Sequence, residues 1–476
     1  MVYNGGNMTR IKVMLWAALF TATLVSCINP IQDPLPPLEK DEFYAQNIET
    51  GKYYKIKAKK IFEGNKCVIW AEEGSGVTPE KAKKIADEYD TKIRPTVVNA
   101  FSKKNFTFQN KTYNDMLDFA NRLAGRIDNK LTVLLLDIKD GYNPPTIKSY
   151  VAGYFFGGNF IKEGEHNGGE YYSNGRDMIY IDTKPGLEAY EKQTYATFAH
   201  ELQHLINFVT TIQMQRGGSS YHYMDTWIDE GLSSQAEYLY LEANLSDRYQ
   251  WFIQDREGTI AKGNNFFVWG NHREKPDAIL DEYATAYLFF RWLYLRASPG
   301  LRSHIFLDIE KSNSYDYQAV TNVAKDINSA WNNWETLLQT WFAANYSPTN
   351  NTYGYTGDNE LQTITVKPIA GEQISLYPGE GVYSKISGSF SPDGASGTNI
   401  RYAGLTKTAI NPSSPYTGDV LLTFNANTNN KMSSETGRLT NVPLSISQTM
   451  ARSIQTETFS GPYVIDARDM LERSKR

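Results

Sequence analysis

Apolar positions along the chain fall into stretches of two different periods. From Thr78 to Phe101 they recur at helical spacing, with Ala82, Ile85, Ala86, Tyr89 and Ile93 on one face. Thr78 supplies an N-cap, Pro79 the first helical position, and Glu80 an acid in the first turn. Before this helix, Tyr53 to Ala71 reads as strand, strongest at Val68-Ile69-Trp70. After it, Leu131 to Ile138 is a continuous apolar run of the kind a central strand carries, and Asp177 to Thr183 alternates as a further strand. Val151 to Phe160 between them is aromatic and glycine-rich. Helices are expected over Glu188–Val209, Trp227–Leu241, Asp281–Arg296 and Trp331–Ala344. Beyond Ser347 the composition turns to Gly, Ser, Thr, Asn and Pro around short apolar runs such as Ile364–Val366 and Val420–Phe424, the pattern of a small β-sandwich or barrel. The fold class expected is therefore α+β, and no internal repeat interrupts it.

The N-terminus has a pattern of its own. Arg10 and Lys12 precede an apolar run from Val13 to Val25, which ends in Leu24-Val25-Ser26-Cys27. The run is too short to span a bilayer and suits the core of a signal peptide. Its ending resembles a bacterial lipobox, which implies cleavage before Cys27 and a lipid on that thiol. Pro30, Pro34, Pro36 and Pro37 then forbid a continuing helix. The organisation expected is a signal peptide over 1–27, a tether over 28–45, a main domain over 46–346 and a β-rich domain over 347–476.

Composition narrows the function. The 476 residues carry a formal net charge of −5 with both signs interspersed, unlike the basic footprint of a nucleic-acid binder. With 41% hydrophobic residues the chain can build a sizeable core. There are two cysteines, Cys27 and Cys67, so no disulfide framework is expected, and Cys67 beside Val68-Ile69-Trp70 reads as a buried strand residue. With 6 histidines in the whole chain, a histidine cluster carries information.

One such cluster exists. Phe198-Ala-His-Glu-Leu-Gln-His204 lies inside a strongly apolar helical stretch. Histidines four apart share a helix face, so His200 and His204 can converge on one zinc ion. Glu201 falls a step round the helix, where it reaches a water on the metal without ligating it. Tyr195, Phe198, Ala199, Leu202, Leu205 and Ile206 make a separate core stripe. His166, His272 and His304 lack ligand spacing.

A third protein ligand is needed. Trp227-Ile-Asp-Glu-Gly-Leu-Ser-Ser-Gln-Ala-Glu237 resembles the glutamate-ligated metallopeptidases, thermolysin and aminopeptidase N among them. Glu230 then matches the third ligand, with Asp229 as the alternative if the helix is rotated. Glu237 matches an acid that supports a ligand histidine through its far ring nitrogen. Phe198–Phe208, Trp227–Ser234 and Val151-Ala-Gly-Tyr-Phe155 together resemble the hyicolysin-like bacterial neutral metallopeptidases, over about Tyr53 to Ala344. That resemblance implies a gluzincin-type, two-lobed catalytic domain in which a mixed sheet packs on the metal helix, a helical lobe follows, and the cleft lies between the lobes.

The implied activity is zinc-dependent peptide hydrolysis with Glu201 as general base. In aminopeptidase N relatives a tyrosine well after the third ligand stabilises the oxyanion; Tyr283 stands at a comparable remove, with His222 and Tyr223 as rivals. The Gly-x-Met-Glu-Asn segment that grips a free amino terminus in aminopeptidases is not found between Leu131 and Glu188, which favours an endopeptidase. Extended peptides add to sheet edges, and Asp177–Thr183 is expected to be that edge. The partners expected are protein or peptide substrates and, through the lipid, a bacterial membrane, either the outer membrane or the cell surface; the chain is expected to act as a monomer. The alternative is a surface adhesion lipoprotein with a structural or vestigial zinc site.

Overall fold

The computed structural model describes residues 2–4, 34–143, 149–169, 171–214, 222–255, 258–263, 265–269, 279–392, 395–431 and 433–440. The apolar run expected to be a signal-peptide core, Cys27, His272 and the last residues of the chain lie outside these. The chain is mixed helix and sheet and forms two compact units. Among the described residues, those up to Tyr223 build the first, together with Ala236–Ala243; the second holds Met224–Gln235 and those from Asn244 on.

A six-stranded mixed sheet organises the first unit. Its strands are β1 (Glu42–Gln46), β2 (Tyr53–Glu63), β3 (Cys67–Glu72), β4 (Leu131–Leu136), β5 (Gly153–Phe155) and β6 (Met178–Asp182), in the order β1-β2-β3-β4-β6-β5. β4 pairs in parallel with β3 and with β6, and every residue of it is buried, as its unbroken apolar run requires. Phe43, Ile56, Leu134, Leu136, Tyr154 and Tyr180 join in one core cluster on one face. The opposite face takes the long helix α4 (Glu191–Met214), reached after α1 (Pro79–Glu88), α2 (Arg94–Phe101) and α3 (Met116–Leu123). At Gly153 that helix and the sheet lie close together. A Cβ there would lie 2.9 Å from the Tyr180 carbonyl and 3.0 Å from Thr197 Cγ2 on α4.

Two expectations need correction. The helix over Thr78–Phe101 is interrupted: Thr78 does cap it, but Tyr89–Ile93 form a wider π turn between α1 and α2. That turn brings Tyr89 flat against Phe198 of α4, with centroids 5.0 Å apart. The strand over Asp177–Thr183, observed as β6, is interior, because β4 and β5 pair with its two sides. The terminal strand on that side is β5, too short and too rich in glycine to announce itself by alternation.

The second unit is mainly helical and then β-rich. Its helices include α5 (Thr226–Leu241, of which the first unit takes the end), α6 (Ser246–Gln254), α7 (Ile279–Arg296) and α8 (Trp334–Tyr346). Ser329–Trp331 form a separate 3-10 turn, so the last helix starts later than Trp331. Trp227 packs against Phe266, Phe267, Phe289, Phe290 and Trp334 in an aromatic core. Beyond α8, strands Gly381–Lys385, Ile400–Leu405 and Val420–Asn425 pair antiparallel over Leu376, Val382, Ile400 and Leu421. Among the described residues no helix is long and apolar enough to cross a membrane.

Candidate metal centre

Helix α4 is fixed at its start before it presents any chemistry. Glu191 in its first turn accepts hydrogen bonds from Lys81 Nζ at 2.7 Å, Lys84 Nζ at 2.9 Å and the Tyr195 hydroxyl at 2.8 Å. Burial works against its charge, yet these donors hold its carboxyl down at about 2. An ionised acid at that end also complements the helix dipole.

Further along α4, His200, Glu201 and His204 are all buried. The two imidazoles lie a turn apart with ring centroids 4.7 Å from each other. Glu230, in the first turns of α5, is fully buried. His200, His204 and Glu230 each offer one ligand atom, and those atoms all lie within 4.8 Å of one another. Asp229 is buried too but is not part of that group.

Glu237 sits seven residues after Glu230, two turns along the same face of α5. Its Oε1 lies 2.7 Å from His200 Nδ1. A carboxylate can only accept, so the proton is on Nδ1 and the lone pair of His200 is on Nε2. The donor set is then two neutral imidazole nitrogens and one carboxylate oxygen in a buried setting. Two donors about 2.0–2.1 Å from one tetrahedral ion stand roughly 3.4 Å apart, so the group is of the right scale for zinc. Hard cations prefer more oxygens than this set provides.

Each of the remaining candidates has its own surroundings. Tyr283 is fully buried on α7, edge-on to Trp269 at 5.1 Å, with the Arg248 guanidinium 5.1 Å from its ring. His222 is exposed, and Tyr223 stacks on Phe208. His166 stacks on Tyr171 and bonds the Lys162 carbonyl, while His304 bonds Asp308 four residues on. Cys67 is buried on β3, where burial pushes its thiol well above its ordinary value.

Sequence reasoning passed over one feature here. Phe155, Phe160 and Phe208 form an aromatic cluster, with centroids 5.4 to 6.2 Å apart, and Tyr223 extends it. The signal was available, since Phe208 follows His204 by four residues, as His204 follows His200.

Over 345 residues the chain is 26% identical to the neutral metalloprotease ShpI of Staphylococcus hyicus, a match that covers 71% of this chain and 69% of that protein. This chain is related to a neutral metallopeptidase. No protein-family model matches it. The relationship agrees with the resemblance carried by the His200–His204 and Trp227–Gly231 segments.

Proposed function

We propose that this protein is a zinc-dependent endopeptidase of gluzincin type, with His200, His204 and Glu230 as metal ligands. The observation that carries the reading is the buried convergence of two imidazoles and one carboxylate, with Glu201 on the next position of the same helix. The similarity to a neutral metalloprotease supports it independently. Zinc held there would lower the pKa of a water and polarise the scissile carbonyl. Glu201 accepts the proton of the attacking water and passes it to the leaving amine. Glu237 keeps His200 in the tautomer that ligates. Tyr283 is the proposed oxyanion donor, in a ring position set by Trp269 and Arg248.

Endopeptidase action is favoured because an extended chain can run past the centre along β5, which lies against the metal helix. The same reading makes the protein an exported bacterial lipoprotein anchored through Cys27; incorporation of labelled palmitate, abolished in Cys27→Ser, tests that part. In the whole reading the α+β chain has the two-lobed layout of the gluzincins.

The test pairs metal analysis with the Glu201→Gln variant. About one zinc per chain should be retained while cleavage of casein or of a blocked peptide falls on the order of a hundredfold or more. Chelator should silence the wild type. Activity that survives both chelation and the substitution would reject the proposal. Trimming of free N-termini alone, with blocked peptides left intact, would reject the endopeptidase part.

A further inference from the structure

We propose that the second unit carries a peptide-binding exosite: a pocket beside the extended segment Thr365–Lys367 that holds one aliphatic or aromatic side chain of a protein substrate. The ligand class rests on the proteolytic reading above, while the site lies in residues which that reading does not use.

Helices α6 and α8 and the strand Gly381–Lys385 meet around a pocket of about 490 Å³, its mouth included. Pockets that hold small ligands fall in this range. Phe252, Ile260, Phe266, Trp341, Phe342 and Val366 line it, and all its lining belongs to the second unit. Among the described residues its charged lining groups are Asp255 and Lys367, of opposite sign and 3.9 Å apart. The pocket therefore suits an uncharged, apolar group, and a carboxylate placed there loses hydration without compensation.

One polar group in the wall has a bond left to make. Asn345 on α8 lines the pocket and is 1% exposed. Its Oδ1 accepts from the Tyr355 hydroxyl at 2.6 Å. No acceptor among the described residues takes the protons of its Nδ2. A buried amide nitrogen so placed favours a ligand that brings an oxygen acceptor along with its apolar part. A residue of a peptide does so, since each side chain travels with a carbonyl.

The mouth supplies the reason to choose an extended chain. The apolar run Ile364–Val366, strand-like in the sequence, pairs with no strand among the described residues. Thr365, Val366 and Lys367 pass the pocket without a turn or bend, and Pro368 holds Lys367 away from helical conformation. Thr365 and Lys367 are exposed, while Val366 between them is half-buried and lines the pocket. Among the described residues, the backbone amides and carbonyls of these three make no hydrogen bond. Such a segment is a free edge to which an extended peptide can add. Side chains of the added chain alternate, so every second one faces the same way as Val366 and can enter the pocket.

A polarisation titration tests this with the zinc-loaded, full-length Glu201→Gln chain and a dye-labelled, blocked Thr-Thr-Leu-Thr-Thr peptide. Binding should weaken about tenfold when the central Leu of the peptide is replaced by Asp. Ala261, half-buried in the lining, is the position to fill: Ala261→Phe should weaken the Leu peptide about tenfold, and Val366→Asp should do the same from the mouth. Equal binding of the two peptides, or binding that both variants leave unchanged, overturns the exosite. So does Ala261-dependent binding of laurate without any of the peptide, which would give the pocket to an acyl chain. In the active chain, Ala261→Phe should raise KM for casein about three- to tenfold and leave kcat/KM for a blocked tetrapeptide as it is. An equal loss on both substrates overturns the proposal, since that is how damage to the fold behaves. If the wild type cleaves neither substrate, the proteolytic reading falls, and the titration alone still decides whether the pocket holds a peptide.

Discussion

A histidine can ligate a metal through one nitrogen only if something settles the other. In His200 that something is Glu237, 2.7 Å from Nδ1. Glu237→Ala should weaken zinc binding about 10- to 100-fold, read by competition with a chromophoric chelator. Glu237→Gln keeps an acceptor at Nδ1 and should fall between the two. An alanine variant that holds zinc as tightly as the wild type would show that the helix alone orients His200. His200, Glu201 and His204 were legible in the sequence because helix geometry converts a four-residue spacing into a shared face. Glu230 and Glu237 were legible only through a family resemblance, since nothing in their own spacing says what α5 packs against. Phe208 reads from its helix position as core, and the stacking of the exposed Tyr223 on it was not legible, since nothing in the sequence says which loop returns to that face.

At the scale of elements, one glycine governs how α5 sits in its unit. Gly231 directly follows Glu230, and a Cβ there would lie 2.2 Å from the Phe290 ring of α7. The Phe290 ring of α7 therefore lies directly on the α5 backbone at Gly231. Gly231→Ala should push the two apart, destabilise the protein by about 1–3 kcal/mol and loosen zinc, because the ligand next door moves with the backbone. A denaturant midpoint and a zinc titration on the same sample check both; an unchanged pair of values would mean that Phe290 swings aside. Element existence was readable wherever a long period repeats, as in α4, α5 and α7. It failed where tertiary contacts decide. The π turn at Tyr89–Ile93 answers to packing against Phe198, and β5 is three residues long, so neither leaves a periodic trace.

The whole molecule also carries buried acids whose titration couples stability to pH. Burial pushes Asp281 on α7 up to about 7, although Thr259 and the Trp251 indole nitrogen both donate to its carboxyl. In the unfolded chain an aspartate titrates near 3.9. Between about pH 4 and 7 the folded state thus keeps a proton that the unfolded state has released, so this residue makes stability fall as pH rises through that window. Asp281→Asn mimics the protonated form. Its stability relative to wild type should improve from pH 5 to pH 8, by on the order of a few kcal/mol, in urea midpoints compared at the two pH values. A constant difference would mean that the two donors keep the carboxylate ionised.

The lone thiol in the sheet has a practical corollary. Cys67 is closed off inside β3 and held in its protonated form, so alkylating reagents should pass it by in the native state. With Cys27 carrying its lipid as proposed, Tyr223→Cys would add a thiol at an exposed position, the one expected to take a maleimide dye. Fluorescence of the dye would then report on the surroundings of Phe208, on which Tyr223 stacks.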